Sequence, residues 1–210
     1  MADFEKMSDG VISGNVDEVI EMTQEAIDEG AEPKEIIQKG LIAGMKVVGQ
    51  RFKDGDMFVP EVMMAAKAMK SGVELVNPLL AEGETSSEGK VVLGTVSGDL
   101  HDIGKNLVGM MMESASLDVV DLGVDVAPEE FVAAVKEHEP DVVGMSALLT
   151  TTMLEMQNTV ELLEEEGLRD SLKIVVGGAP VTPDFAEEIG ADGWSPDAAS
   201  AKDKALELIG

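Results

Sequence analysis

The feature that most constrains the fold is a change of hydrophobic period at residues 82–89, EGETSSEG, a stretch without a single large apolar side chain. Before it, apolar residues recur at helical spacing. Val16, Val19, Ile20, Ala26 and Ile27 form one stripe, with Asn15 placed to cap it and Gly30 to end it. Ile37, Leu41, Met45, Val48 and Phe52 form a second, after Pro33 in a first-turn position. Val62, Ala66, Met69, Val73, Val76 and Leu80 form a third, after Pro60. With a short helix near residues 3–12, these predict a four-helix bundle over residues 1–81.

After the break the pattern becomes short β-branched runs alternating with helical segments. Strands are predicted at 91–96, 119–122, 142–145 and 174–176. Helices are predicted near 104–115, 128–138, 152–166, 182–189 and 197–209. Alternating βα units of this kind predict an α/β doubly wound parallel sheet over residues 90–210, joined to the bundle by the linker 82–89. In such sheets ligands bind at the carboxyl ends of the strands.

Composition narrows the partners. Asp and Glu number 42 against 15 Lys and Arg, for a formal net charge of -27, and the basic residues are scattered. Such a surface repels phosphate backbones and anionic headgroups, so neither nucleic acid nor membrane is an expected partner. The absence of cysteine removes disulfides, thiolate metal sites and a cysteine nucleophile. No signal peptide or long apolar span is visible, and the expected location is the cytoplasm.

One of only two histidines lies in GDLHDIGKN, residues 98–106, at the end of the first predicted strand. Three roles are open to His101: a structural residue bonded to backbone, a general base, or a metal ligand. The last needs a partner for the second ring nitrogen, and Asp99 stands two residues away. His138, in EHEP, reads as a surface residue, so no second histidine joins His101. A lone imidazole suffices as a metal ligand only where the cofactor brings the other coordination positions, as a haem or a corrin does. Two further strand ends carry small residues: Ser146-Ala147-Leu148-Leu149-Thr150-Thr151-Thr152 and Gly177-Gly178-Ala179-Pro180. Small hydroxyls and glycines there leave room for an elongated, nucleotide-like group.

These motifs, in this order on an alternating βα pattern, resemble those of the corrinoid-binding methyl-carrier proteins of cobalamin-dependent methyltransferase systems, and the chain is similar to the cobalamin-binding region of methionine synthase. The resemblance spans nearly the whole chain. It rests on Asp99-x-His101-x-x-Gly104, on Ser146-x-Leu148, and on Gly177-Gly178. It implies cobalamin as cofactor, with His101 as the lower axial ligand of cobalt and Asp99 bonded to the other ring nitrogen. Thr152 stands where methionine synthase has a serine completing that relay. Asp102, Ile103, Gly104, Ser146, Leu148, Thr150, Gly177 and Gly178 are implied to line the cofactor and its buried tail, with Trp194 near the nucleotide end. The first half resembles a helical cap, in which Phe52, Met57 and Val59 fall where the family places apolar cover over the methyl group.

What this resemblance implies is one-carbon transfer by a non-autonomous subunit. Cobalt accepts a methyl group under a donor-specific methyltransferase and passes it to tetrahydrofolate or coenzyme M under an acceptor methyltransferase, with a reductive activase as a further partner. Two other classes bear on the reading. Binding subunits of adenosylcobalamin isomerases share the Asp-x-His-x-x-Gly signature but lack such a cap. Cobalamin-based light sensors have a helical bundle, yet the bundle here holds neither Trp nor His and the chain shows no DNA-binding motif. The methyl donor is left open by the sequence.

Overall fold

The computed structural model describes residues 2–80 and 87–210, which divide into two compact units: residues up to Ser87 with Glu113–Ser116, and Glu88–Met112 with Leu117–Gly210. Residues 82–86 of the expected linker lie outside the described residues, and Gly89 already opens the first strand.

The first unit is helical. It comprises α1 (Phe4–Ser13), α2 (Val16–Asp28), a rod built of α3 (Pro33–Glu35), a π-helical stretch (Ile36–Ile42) and α4 (Ala43–Asp54), and finally α5 (Val59–Val76). Counting the rod as one helix gives the four that the spacing predicts. Asn15 caps α2 by accepting the Glu18 N–H, and Pro60 sits in the first turn of α5, where no intrahelical donor is lost. The third stripe differs from expectation at both its face and its end. Val62, Ala65, Ala68, Met69, Gly72 and Val76 are buried instead of the line through Ala66 and Val73, because small residues let α5 lie close to α2. A side chain at Gly72 would meet Leu41 at 2.7 Å. Pro78 cannot continue the helix, so Leu80 lies beyond a short 3-10 turn, Asn77–Leu79.

The second unit is a five-stranded, all-parallel sheet in the order β2-β1-β3-β4-β5. Its elements run β1 (Gly89–Thr95), α6 (Ile103–Glu113), β2 (Leu117–Asp121), α7 (Pro128–His138), β3 (Val142–Ser146), α8 (Met153–Glu165), β4 (Lys173–Gly177), α9 (Pro183–Glu188), β5 (Gly193–Ser195) and α10 (Ala198–Ile209). Successive strand residues face opposite ways. Val92, Val143 and Ile174 therefore join Phe131, Met156 and Leu163 in one core, while Val91, Val142 and Val175 join Met112 and Ala205 in the other. The sequence pattern does not anticipate β5, three residues with no apolar run of their own; pairing with β4 makes it a strand.

The strand order reverses at β1, which pairs with β2 on one side and β3 on the other. The crevice at such a switch point opens at the carboxyl ends of the two diverging strands. Across that edge of the sheet runs a register row of Thr95, Ser146, Gly177 and Ser195, with no side chain larger than threonine.

Candidate functional site

Below the small-residue row a cavity of about 540 Å³ enters the second unit on the side of α6 and α10. Its walls are Leu93, Val108, Met112, Val175 and Ala201 toward the core, and Ser146, Leu148, Gly177, Gly178 and Ser195 toward the strand ends. The turn His101-Asp102-Ile103-Gly104 borders its mouth. The cavity exists because the strand residues facing it near the carboxyl ends are small: Gly144 and Ser146 on β3, and Gly177 after Val175 on β4.

Asp99 is the pivot of the site. It is fully buried and every lone pair it offers is engaged. Oδ1 faces His101 Nδ1 at 2.7 Å and accepts the His101 N–H at 3.1 Å. Oδ2 accepts the Leu148 N–H at 2.7 Å, the Leu149 N–H at 3.2 Å and the Thr152 hydroxyl at 2.9 Å. Burial alone would raise the pKa of this carboxyl. The Leu148 N–H, the His101 ring, the His101 N–H and the Thr152 hydroxyl outweigh it and hold Asp99 well below the ordinary carboxylate range. At neutral pH Asp99 is thus an anion, and as an acceptor it draws a proton onto His101 Nδ1, leaving Nε2 as the ring nitrogen turned away from it. The His101 side chain is 52 % exposed, and Nε2 makes no hydrogen bond among the described residues. The geometry presents a basic nitrogen at the mouth of a deep slot.

Thr95 braces this turn from inside the sheet: wholly buried, it donates its hydroxyl to the His101 carbonyl at 3.0 Å. Lys105, with only 2 % of its side chain exposed, ties the start of α6 to the end of β2 through Asp121 at 2.5 Å, and also donates to Asn106 at 2.7 Å. Around the imidazole lies an apolar patch, with Leu100 and Ile103 exposed by 71 % and 85 % and Leu148 and Leu149 also exposed. Large apolar side chains gathered on one surface mark a contact site.

Of the residues singled out from sequence, Asp99, His101 and Thr152 meet in one chain of hydrogen bonds, and Asp102, Ile103, Gly104, Ser146, Leu148, Gly177 and Gly178 border the cavity. Thr150 is exposed in the loop after β3 and lies outside the cavity lining. Trp194 does not line this cavity. Alternation along β5 turns it to the opposite face, where it packs against that core and donates its indole N–H to the Val181 carbonyl at 2.8 Å. Its neighbour Ser195 is the residue that lines the cavity. In the helical unit Met57 is buried, Phe52 half-buried and Val59 exposed, beside Phe58, which is more exposed still. The sequence reading does not single out Thr95, Lys105, Leu149 or Ser195. Lys105 lies inside the quoted motif, and Ser195 would have emerged had β5 been recognised.

Two details indicate a ligand of stated chemistry. Ser195 Oγ is buried on the cavity wall without a hydrogen-bond partner, a cost that a polar ligand group would remove. Gly104 borders the cavity, and a Cβ built there meets nothing within 4 Å beyond its chain neighbours and the backbone of its own helix, so a side chain would fill space the protein itself leaves open. The donor set, one imidazole with a buried carboxylate behind it and no cluster of further ligands among the described residues, suits a metal that arrives with its own macrocycle.

Fold and site together define a doubly wound α/β protein with a cavity at its strand ends and one exposed, carboxylate-backed imidazole at the mouth. The comparisons give that class a family: models described as B12 binding domain match residues 89–202 and, separately, residues 3–77. The chain is 45% identical to a corrinoid protein of Desulfitobacterium hafniense over 213 residues, covering 100% of this chain and 99% of that one. It is 47% identical to the dimethylamine corrinoid protein of Methanosarcina barkeri, covering 98% and 97%. Among solved structures, a chain of the methanol:cobalamin methyltransferase complex from Methanosarcina barkeri superposes with a TM-score of 0.88 at 34% identity, covering 98% of this chain and 79% of that one. This chain belongs to the B12-binding corrinoid proteins, and cobalamin is its cofactor. No helix among the described residues is long and apolar enough to cross a membrane.

Proposed function

We propose that this chain is a methyl carrier acting in the cytoplasm, which receives a methyl group from a methylated amine under one partner methyltransferase. It yields that group to tetrahydrofolate or coenzyme M under a second, and a reductive activase keeps it in service. The observation that carries the reading is the Thr152–Asp99–His101 chain ending in a bare Nε2 at the mouth of the cavity. When bound, cobalamin supplies the cobalt on which a methyl group is taken up and released; binding, orientation and electrostatics are left to the protein.

Each residue then has a task. His101 would hold the cobalt of the bound cofactor through Nε2. Asp99 holds the Nδ1 proton and fixes the ring, making the imidazole a better donor, while Thr152 and the Leu148 and Leu149 N–H groups keep Asp99 ionised and in place. Leu100, Ile103 and Leu148 provide an apolar bed, Asp102 and Gly104 border the opening, and Thr150 stands outside it. Ser146, Gly177, Gly178 and Ser195 would hold the tail, with Ser195 Oγ as a free polar contact. Phe52, Met57 and Val59 of the helical unit are the apolar side chains assigned to shielding the bound cofactor from water.

The relatives support the amine: the dimethylamine corrinoid protein is 47% identical, whereas the chain from the methanol complex is 34% identical. The test is to load the chain with cobalamin, reduce it, and add cell extract with dimethylamine, trimethylamine or methanol in turn. An amine is expected to produce the absorption spectrum of the methylated cofactor. A response to methanol alone overturns the assignment of donor.

A further inference from the structure

Asp125 lies in the turn joining β2 to α7, apart from every motif that marks the cofactor site. It is a non-glycine residue in the left-handed region, with φ 56°. Aspartate and asparagine tolerate that region better than other side chains. Its Oδ1 accepts the Gly98 N–H at 2.7 Å and the Ser97 hydroxyl at 3.4 Å, and its own N–H donates to the Asp99 carbonyl at 3.0 Å. Gly98 also has a positive φ, 78°. Two left-handed corners, one in each loop, thus hold each other by reciprocal bonds.

The β2–α7 turn does not need this carboxylate to close. Leu122 N–H to the Leu93 carbonyl, Thr95 N–H to the Gly123 carbonyl and Val126 N–H to the Thr95 carbonyl already zip it to β1. Asp125 is exposed and belongs to neither core. What the carboxylate fixes is the corner just before Asp99. The Asp99 side chain is anchored on the β3 side by Leu148, Leu149 and Thr152, and its peptide on the β2 side by Asp125. Without the Asp125 acceptor, the Gly98 N–H has no partner from the protein, and the corner keeps only the bond of the Asp99 N–H to the Val96 carbonyl at 3.2 Å and the Asp125 N–H itself.

We propose that Asp125 is a positioning residue for the axial histidine: it clamps the Gly98–Asp99 corner so that Asp99 Oδ1 meets His101 Nδ1 and the imidazole is held ready for cobalt. This rests on the reading of His101 as the ligand. It predicts that the clamp acts through an acceptor atom and not through backbone conformation alone.

Three variants of the full chain separate those contributions. Asp125→Asn keeps both the acceptor and tolerance of the left-handed region; Asp125→Gly keeps only the tolerance; Asp125→Ala keeps neither. Each is titrated with cobalamin, and the absorption spectrum gives the fraction of cofactor ligated by histidine, while thermal melting of the cofactor-free chain is followed in parallel. Asp125→Asn is expected to match the wild type. Asp125→Gly is expected to bind about tenfold more weakly, with a smaller histidine-ligated fraction, as loss of outer partners does at metal sites. A Gly variant with the wild-type spectrum and affinity, or an Asn variant as impaired as the Gly one, overturns the clamp. So does weaker binding that only tracks a lower melting temperature with an unchanged spectrum. A wild-type spectrum without histidine ligation overturns the ligand assignment, and the clamp with it.

Discussion

Residues 96–102, which follow β1, and residues 178–182, which follow β4, border one cavity, the first with hydrogen-bonding side chains and the second with scarcely any side chain at its start. In the first, a buried anion receives five hydrogen bonds and aims an imidazole outward. In the second, Gly178 lies so close to the β3 loop that a Cβ would sit 1.9 Å from the Ala147 carbonyl oxygen. One strand end supplies chemistry and the other supplies room. Damage to them should therefore be told apart: the first through the state of the cofactor, the second through the fold.

The largest effect is expected at Gly178. With φ at 128° and the Ala147 backbone in the way, Gly178→Ala should cost about 3 kcal/mol or more and lower the melting temperature of the cofactor-free chain sharply. Gly104→Ala should melt like the wild type, since nothing lies within 4 Å, and bind cobalamin more weakly; if it binds normally, the cavity at that point is not used. Next comes His101→Ala. The side chain is half exposed, so stability should change little, while the spectrum of the bound cofactor should lose its histidine-ligated form. An unchanged spectrum removes His101 as ligand.

Asp99→Asn preserves volume but turns one oxygen into a donor facing donors. It should destabilise the cofactor-free chain by about 1–3 kcal/mol and reduce histidine ligation as well, which marks the β1 loop as serving fold and ligand together. A variant that melts and ligates normally would contradict the pivot. The smallest effect is expected at Ser195→Ala. Its Oγ has no partner to lose, so melting should be unchanged within about 0.5 kcal/mol, and only cobalamin affinity should fall, a few-fold. A stability loss instead would show that the hydroxyl serves the protein and not the cofactor.

How much of this was legible in the sequence depends on whether the signal was local. The break in period separated helices from βα units, and His101, Asp99 and Gly104 could be found because they lie within six residues of one another. The roles of Thr95 and Ser195 depend on the register that lines up β1, β3, β4 and β5, which no short window contains. The face that Trp194 occupies is hidden for the same reason, since a strand of three residues leaves its two faces undefined until it pairs. The buried face of α5 escaped a reading based on large apolar residues because close packing there depends on Ala65, Ala68 and Gly72. Thr152 was placed by resemblance, and its bond to Asp99 across 53 positions is purely tertiary.

The central claim is that a nitrogen of this chain, that of His101, ligates cobalt. The direct measurement is electron paramagnetic resonance of the one-electron-reduced, cobalamin-loaded protein, with the protein labelled with nitrogen-15 and the cofactor left unlabelled. Nitrogen-15 has nuclear spin one half, so a histidine ligand should split each cobalt line into a doublet, and His101→Ala should abolish it. A triplet from unlabelled nitrogen in the wild-type protein would mean that the cofactor keeps its own base, and would contradict the account.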